Sequence, residues 1–274
     1  MSSLNFIVSY PKSGNTWVRI LLANYLSTSN QPVSLHELPV VHASSRTLWE
    51  NCLGVSTFDL ALDELAAARS TFFATLEKSC PAPQFVKTHD AYHEGFLPES
   101  NQFRILYIVR HPFDVAVSFA RHLKLDIKQV LDNMSNPRFT LVSDQTSPQG
   151  CLQLPQRLST WSGHVSGWLS QTVLSKMLLR YEDLALRPEE KLFEIVNFFR
   201  LPLDSDRIRN AVRQSSFSNL QKQEQQIGFP EKPAHMETFF WKGVCGSGMK
   251  LIPSEFRERF IASHETIMKE FDYL

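Results

Sequence analysis

The chain has 274 residues, 43% of them hydrophobic, enough for one α/β domain over 1–274 with a sizeable core. Lys plus Arg and Asp plus Glu both number 28, so no general basic field favours nucleic acid or an anionic membrane surface, and any anion must be held locally. Cys52, Cys80, Cys151 and Cys245 lie far apart with no CxxC pair, and neither a basic, apolar leader nor a long apolar run occurs; zinc, disulfides, export and membrane insertion are not expected, and a reducing cytoplasm is.

The first apolar run, NFIVS, reads as a short buried strand, and WVRILLANYL has helical spacing of its apolar positions. Between them stands YPKSGNT. A strand that turns at once into a helix aims unpaired N–H groups and the positive end of the helix dipole at one spot, which suits an anion. Gly14 lets the backbone approach, Lys12 adds a charge, and Ser13, Asn15 and Thr16 add hydrogen-bonding groups. The nucleotide pattern GxxxxGK[ST] is not met, because the lysine precedes the glycine and the first glycine is missing.

Residues 30–58 form a mixed Ser-, Pro- and His-rich segment, followed by a helical run from Asp59 to about Glu77. QFVKTH (84–89) predicts a second strand, and RILYIVR (104–110) a strand buried on both faces. HPFDVAVSFARHL predicts a helix with Pro112 in its first turn. Prolines and polar residues make 135–157 a long loop or lid. A helix over 158–172, a strand KMLLRY (176–181), helices over 188–200 and 204–213, a segment 214–252 of little periodicity, and a last helix from Pro253 to about Phe271 complete the chain. Strands alternating with helices predict a parallel β-sheet covered by helices on both faces, which binds ligands at the carboxyl ends of its strands. Lys12, Lys87 with His89, Arg110 and Tyr181 fall at those four ends. Lys87 and His89, two apart on a strand, share a face.

YPKSGNTW, VKTH, RHPFDVAVS, RYEDL and KGVCG follow one another along nearly the whole chain, and on these motifs the sequence resembles the sulfotransferases that use 3′-phosphoadenosine 5′-phosphosulfate (PAPS). The resemblance implies a P-loop-like strand–loop–helix in which Lys12, Ser13, Gly14, Asn15 and Thr16 wrap the 5′-phosphosulfate and Trp17 stacks on adenine. It implies that Arg110 and Ser118 hold the 3′-phosphate, that Tyr181, Ser215 and Phe217 line the adenine side, and that Lys242 and Gly243 close over the 3′-phosphate from a late loop. It makes His89 the general base, with an ordinary pKa of about 6.5, Lys12 the group that stabilises the leaving oxygen, and Lys87 its assistant. The product is 3′,5′-adenosine bisphosphate (PAP), and no metal takes part.

Trp241 stands where many family members carry Arg, so one guanidinium contact to the 3′-phosphate is missing from the pattern: either donor affinity is lower, or Trp241 covers the nucleotide by packing instead. Asn15 replaces a Thr common in the animal enzymes, the loop begins already at Tyr10, and the animal dimer motif KxxxTVxxxE does not follow Lys250. These features resemble the bacterial branch and predict a differently built pocket for a small polar acceptor, a hydroxyl or amine of secondary metabolism. His36, His42, Trp49, the stretch DAYHEGF and residues 135–157 are its candidate lining; Asp90, beside the base, either orients a polar or cationic acceptor or is solvated or caps a helix. A nucleotide kinase would share the fold but need a true P-loop and a magnesium-holding carboxylate. A non-catalytic nucleotide binder would not need Lys12, Lys87 and His89 together.

Overall fold

A computed structural model describes residues 4–80, 83–99, 103–141, 152–172, 174–241 and 243–274. β1 (Leu4–Ser9), β3 (Gln84–Thr88), β4 (Arg104–Val109) and β7 (Ser175–Arg180) form the expected parallel sheet with one further edge strand, β2 (Val40–His42), in the order β2-β3-β1-β4-β7. The order reverses around β1, so the chain leaves β1, β3 and β4 toward one crevice at their carboxyl ends.

The two central strands separate two cores. Leu4, Phe6 and Val8 of β1 and Ile105, Tyr107 and Val109 of β4 face one layer, while Ile7, Leu106 and Ile108 face the other, as the two-residue period of a strand requires. On the first face pack α3 (Leu62–Ser79), α4 (Pro112–Leu123), α6 (Trp161–Leu169) and α12 (Ser254–Glu270). On the second pack α1 (Asn15–Leu26), α8 (Pro188–Phe198) and α9 (Ser205–Gln214). α4 begins where expected: His111 is its cap, its ring accepting the Phe113 N–H, and Pro112 occupies the first turn.

Six elements were not legible in the sequence. The mixed segment 30–58 contains β2 and α2 (Arg46–Leu53), α5 (Ile127–Met134) follows α4, α7 (Tyr181–Leu186) follows β7, and the aperiodic stretch holds α10 (Phe217–Ile227) and the single turn α11 (Gly248–Leu251). A three-residue edge strand carries no measurable alternation, and α10 is polar over most of its surface. Tyr181 opens α7 rather than ending the strand. Of the segment 135–157, a short antiparallel pair, β5 (Thr140–Leu141) with β6 (Gln156–Arg157), ties the two ends together; 142–151 lie outside the described residues. No described helix is long and apolar enough to cross a membrane.

Candidate active site

The first loop is built by two conformational exceptions. Lys12 and Gly14 both take positive φ, 66° and 104°. Only glycine suits the second position, since a Cβ there would lie 2.5 Å from the Tyr181 ring. Ser13 is buried, and its hydroxyl has no partner among the described residues. An orphaned donor beside a helix N-terminus fits an anion better than it fits a closed core. The Asn15 side chain turns inward instead: its amide donates to the Ile7 carbonyl at 3.1 Å and to Ser9 Oγ at 3.3 Å, bracing the loop against β1. Thr16 Oγ1 accepts from Arg19 at 3.1 Å. From Asn15 and Thr16, then, the backbone N–H groups are what the loop leaves for a ligand.

Around this loop gather the residues expected on the adenine side. The Trp17 ring N–H donates to the Ser215 carbonyl at 2.9 Å and its ring meets Tyr181 edge-on at 5.8 Å. The Ser215 hydroxyl is fully buried and receives the Asn24 amide at 3.0 Å, so its contribution is to hold the site's wall. Gly243 packs so tightly on Phe217 that a Cβ would come within 2.8 Å of the ring. Arg110 bridges the first loop and the late loop, donating to the Lys12 carbonyl at 3.1 Å and the Val244 carbonyl at 3.4 Å, with its guanidinium 4.2 Å from the Tyr181 ring centre. Ser118 is half-buried on α4. Lys242 lies outside the described residues.

Two residues of this region escaped the sequence reading. Asp114, in the first turn of α4, accepts the N–H groups of Gly246 and Gly248, each at 2.7 Å, and so pins the late loop to that helix. Gly248 in turn lets the loop backbone close to where a Cβ would sit 2.3 Å from the Phe113 carbonyl carbon. Arg121 places its guanidinium 4.0 Å over the Trp241 ring, supplying a cation beside the tryptophan that replaces the arginine of the family pattern. Nothing in the sequence pairs these segments, because each contact joins residues far apart in the chain.

At the other end of the crevice stand the proton-handling groups. His89 follows β3, and its Nδ1–H donates to the Ser9 carbonyl at 2.7 Å, which leaves Nε2 as the lone-pair nitrogen. Burial, with Lys87 beside it, pushes its pKa well below the ordinary imidazole value. Burial likewise lowers Lys12 to about 7 and Lys87 to about 8. Lys12 also lies 4.1 Å from the Phe239 ring centre. Asp90, expected to face an acceptor, does not: it is buried behind the strand, where its carboxylate takes Arg69 and Thr88 Oγ1, both at 3.0 Å, and the Arg157 N–H at 3.2 Å. The carboxylate in the crevice is Glu231, paired with buried Arg19 at 2.7 Å and 3.3 Å from His42 Nε2. Arg19, His42, Phe229 and Glu231 line a cavity of about 190 Å³, with Leu35 and Leu38 as its apolar side. His42, on its wall, pairs in register with Lys87 across β2 and β3. Trp49 is fully buried and stacked on Phe72, away from that cavity's lining.

These pKa values carry a pH dependence with a definite sign. An anionic ligand needs both lysines charged, so kcat/KM for the donor is expected to fall as pH rises through about 7 to 8. The acid limb, set by His89, is expected below the ordinary imidazole range. At Lys12 and Lys87 the folded state binds fewer protons than the unfolded chain between about pH 7 and 10.5, so the contribution of these two groups to stability rises with pH over that window. A pH profile of kcat/KM flat from 6 to 9 would contradict the assignment.

Against known proteins, the sequence matches the sulfotransferase domain family over residues 4–272. Sulfotransferase 1B1 of Canis lupus familiaris is 24% identical over 270 residues, covering 93% of this chain and 79% of that one. Amine sulfotransferase of Oryctolagus cuniculus is 22% identical over 284 residues, covering 97% and 81%. Among solved structures, mouse sulfotransferase SULT7A1 complexed with PAP superposes with a TM-score of 0.63 at 20% identity, covering 97% and 84%. A retinol dehydratase in a complex with retinol and PAP reaches 0.65 at 17%, covering 98% and 82%.

Proposed function

This chain belongs to the sulfotransferase domain family, enzymes that move a sulfuryl group from PAPS, and from that premise we propose that it sulfates a hydroxyl or amine of a small polar acceptor with His89 as base. The observation that carries the reading is the meeting, at the carboxyl ends of β1 and β3, of the Lys12 loop with a His89 ring whose tautomer is fixed by the Ser9 carbonyl.

When bound, the donor supplies the sulfuryl group and leaves as PAP. Lys12, Ser13 Oγ and the N–H groups opening α1 hold its 5′ end, while Arg110, Ser118, Lys242 and Gly243 hold the 3′-phosphate, with Arg121 beside them. Trp17, Tyr181 and Phe217 form the adenine wall. His89 Nε2 takes the acceptor proton as the new bond to sulfur forms and the bridging bond breaks. Lys12 balances the charge that develops on the leaving oxygen, and Lys87 that on the transferring group. The acceptor enters through the 190 Å³ cavity lined by Glu231 and His42, the latter in register with Lys87. Its size and polarity support a small secondary metabolite as acceptor.

PAP at about 100 times its Kd is expected to stabilise the protein by about 2.7 kcal/mol without magnesium. ADP and ATP, lacking the 3′-phosphate, are expected to give much less. Equal stabilisation by ATP and PAP would overturn the donor assignment. For the acceptor cavity, Leu38→Trp is expected to raise acceptor KM several-fold with PAP affinity unchanged; an unchanged KM removes the cavity from the reaction.

A further inference from the structure

The turn that carries His89 has left the sheet. β3 ends at Thr88, so the carbonyls of His89 and Asp90 lack ladder partners and must be satisfied elsewhere. α6 satisfies both. His164 Nε2–H donates to the His89 carbonyl at 3.0 Å, and the Trp168 ring N–H donates to the Asp90 carbonyl at 2.9 Å. The two residues are four apart on the helix and therefore share a face, and both are fully buried. The other nitrogen of His164 faces the Tyr107 hydroxyl at 2.7 Å, and its ring meets Tyr10, at the start of the first loop, edge-on at 5.4 Å.

A histidine that donates from Nε2 must accept at Nδ1, so Tyr107 is the donor in the second bond. Reversing the chain of bonds would set an imidazole lone pair against the His89 carbonyl oxygen. Burial supports the fixed direction by holding His164 neutral, its pKa lowered to about 4, and by keeping Tyr107 protonated.

We propose that Tyr107, His164 and Trp168 are positioning residues for the base: they fix the backbone of His89 and Asp90 against the sheet, so that the His89 ring keeps its bond to Ser9 and presents Nε2 to the acceptor. The proposal rests on the reading of His89 as base. No described atom of the three touches the crevice groups Lys12 or Lys87 by a hydrogen bond, and their effect reaches the reaction only through the His89 turn.

The test compares full-length wild type with His164→Phe, Tyr107→Phe and His164→Gln by kcat, PAP affinity and the ring ¹⁵N spectrum of His89, assigned by its loss in His89→Asn. His164→Phe keeps a flat ring but makes neither bond; glutamine can make both, since its amide donates and accepts. The expected result is a single Nδ1–H tautomer in wild type and a mixture of tautomers in His164→Phe. With it, kcat falls on the order of 10- to 100-fold and PAP affinity stays within about twofold, as misplacement of a reacting group predicts. Tyr107→Phe, which deletes one hydroxyl, is expected to shift the same signals in the same direction and decides the matter if His164→Phe does not fold. His164→Gln is expected to recover most of kcat. An unchanged spectrum and kcat in the phenylalanine variants overturns the proposal; a changed spectrum with unchanged kcat overturns it together with the role of His89 as base.

Discussion

Replacing His89 by alanine is expected to lower kcat by about 10²- to 10⁴-fold, the span that a positioned general base contributes, while the affinity for PAP stays within about twofold. The separation follows from geometry. His89 stands at the end of β3 with Nδ1 engaged by the Ser9 carbonyl, so only Nε2 is turned to chemistry, and the groups that face a phosphate or sulfate are on other elements: the Lys12 loop after β1 and Arg110 after β4. Loss of the imidazole should therefore remove proton transfer and leave anion binding in place. His89→Gln tests the same point more narrowly, since an amide can still donate to Ser9 but has no basic nitrogen. If either variant retained kcat within a few-fold of wild type, Lys87, with its pKa lowered to about 8, would become the better candidate for the base.

The sheet was legible because β1 and β4 are buried on both faces, which turns them into unbroken apolar runs bounded by polar residues. The meeting of the first loop with His89 was legible for a related reason: in a parallel sheet the polar residues that end each strand arrive at one crevice, so Lys12, Lys87, His89 and Arg110 could be gathered without knowing a distance. Alternation also explains the error at Asp90. Residues 87 and 89 face the crevice, so 88 and 90 must point behind the strand, and Thr88 and Asp90 are buried there beside α3. The period that pairs Lys87 with His89 excludes Asp90 from the same face. Glu231, Arg19, Asp114 and His164 were not legible, because each acquires its role from a partner more than twenty residues away: Arg19 from His42 and Glu231, Asp114 from Gly246 and Gly248, His164 from His89 and Tyr107. No local pattern marks such pairs.

Asp90→Asn is expected to destabilise the fold by about 3–5 kcal/mol, the cost of stripping one partner from a buried ion pair. For a chain of this size that lowers Tm on the order of 6–20 °C. Arg69, the partner, is itself buried between the rings of Trp49 and Phe96, 5.0 and 5.4 Å from their centres, so the substitution leaves its charge buried and unmatched. Asparagine keeps one acceptor oxygen for three donors, Arg69, Thr88 and the Arg157 N–H, and turns two new N–H donors toward them. Because the carboxylate faces α3 and not the crevice, acceptor KM measured on the folded fraction is expected to stay within about twofold of wild type. The pair Arg69→Met with Asp90→Leu distinguishes an ion pair kept for its charge from one tolerated in a core: apolar groups of similar volume leave no buried charge unmatched, and the double variant is expected to be more stable than Asp90→Asn alone. A Tm within about 2 °C of wild type for Asp90→Asn would mean that the Arg69 guanidinium finds compensation elsewhere in the core. A several-fold change in acceptor KM at unchanged Tm would instead return Asp90 to the acceptor site.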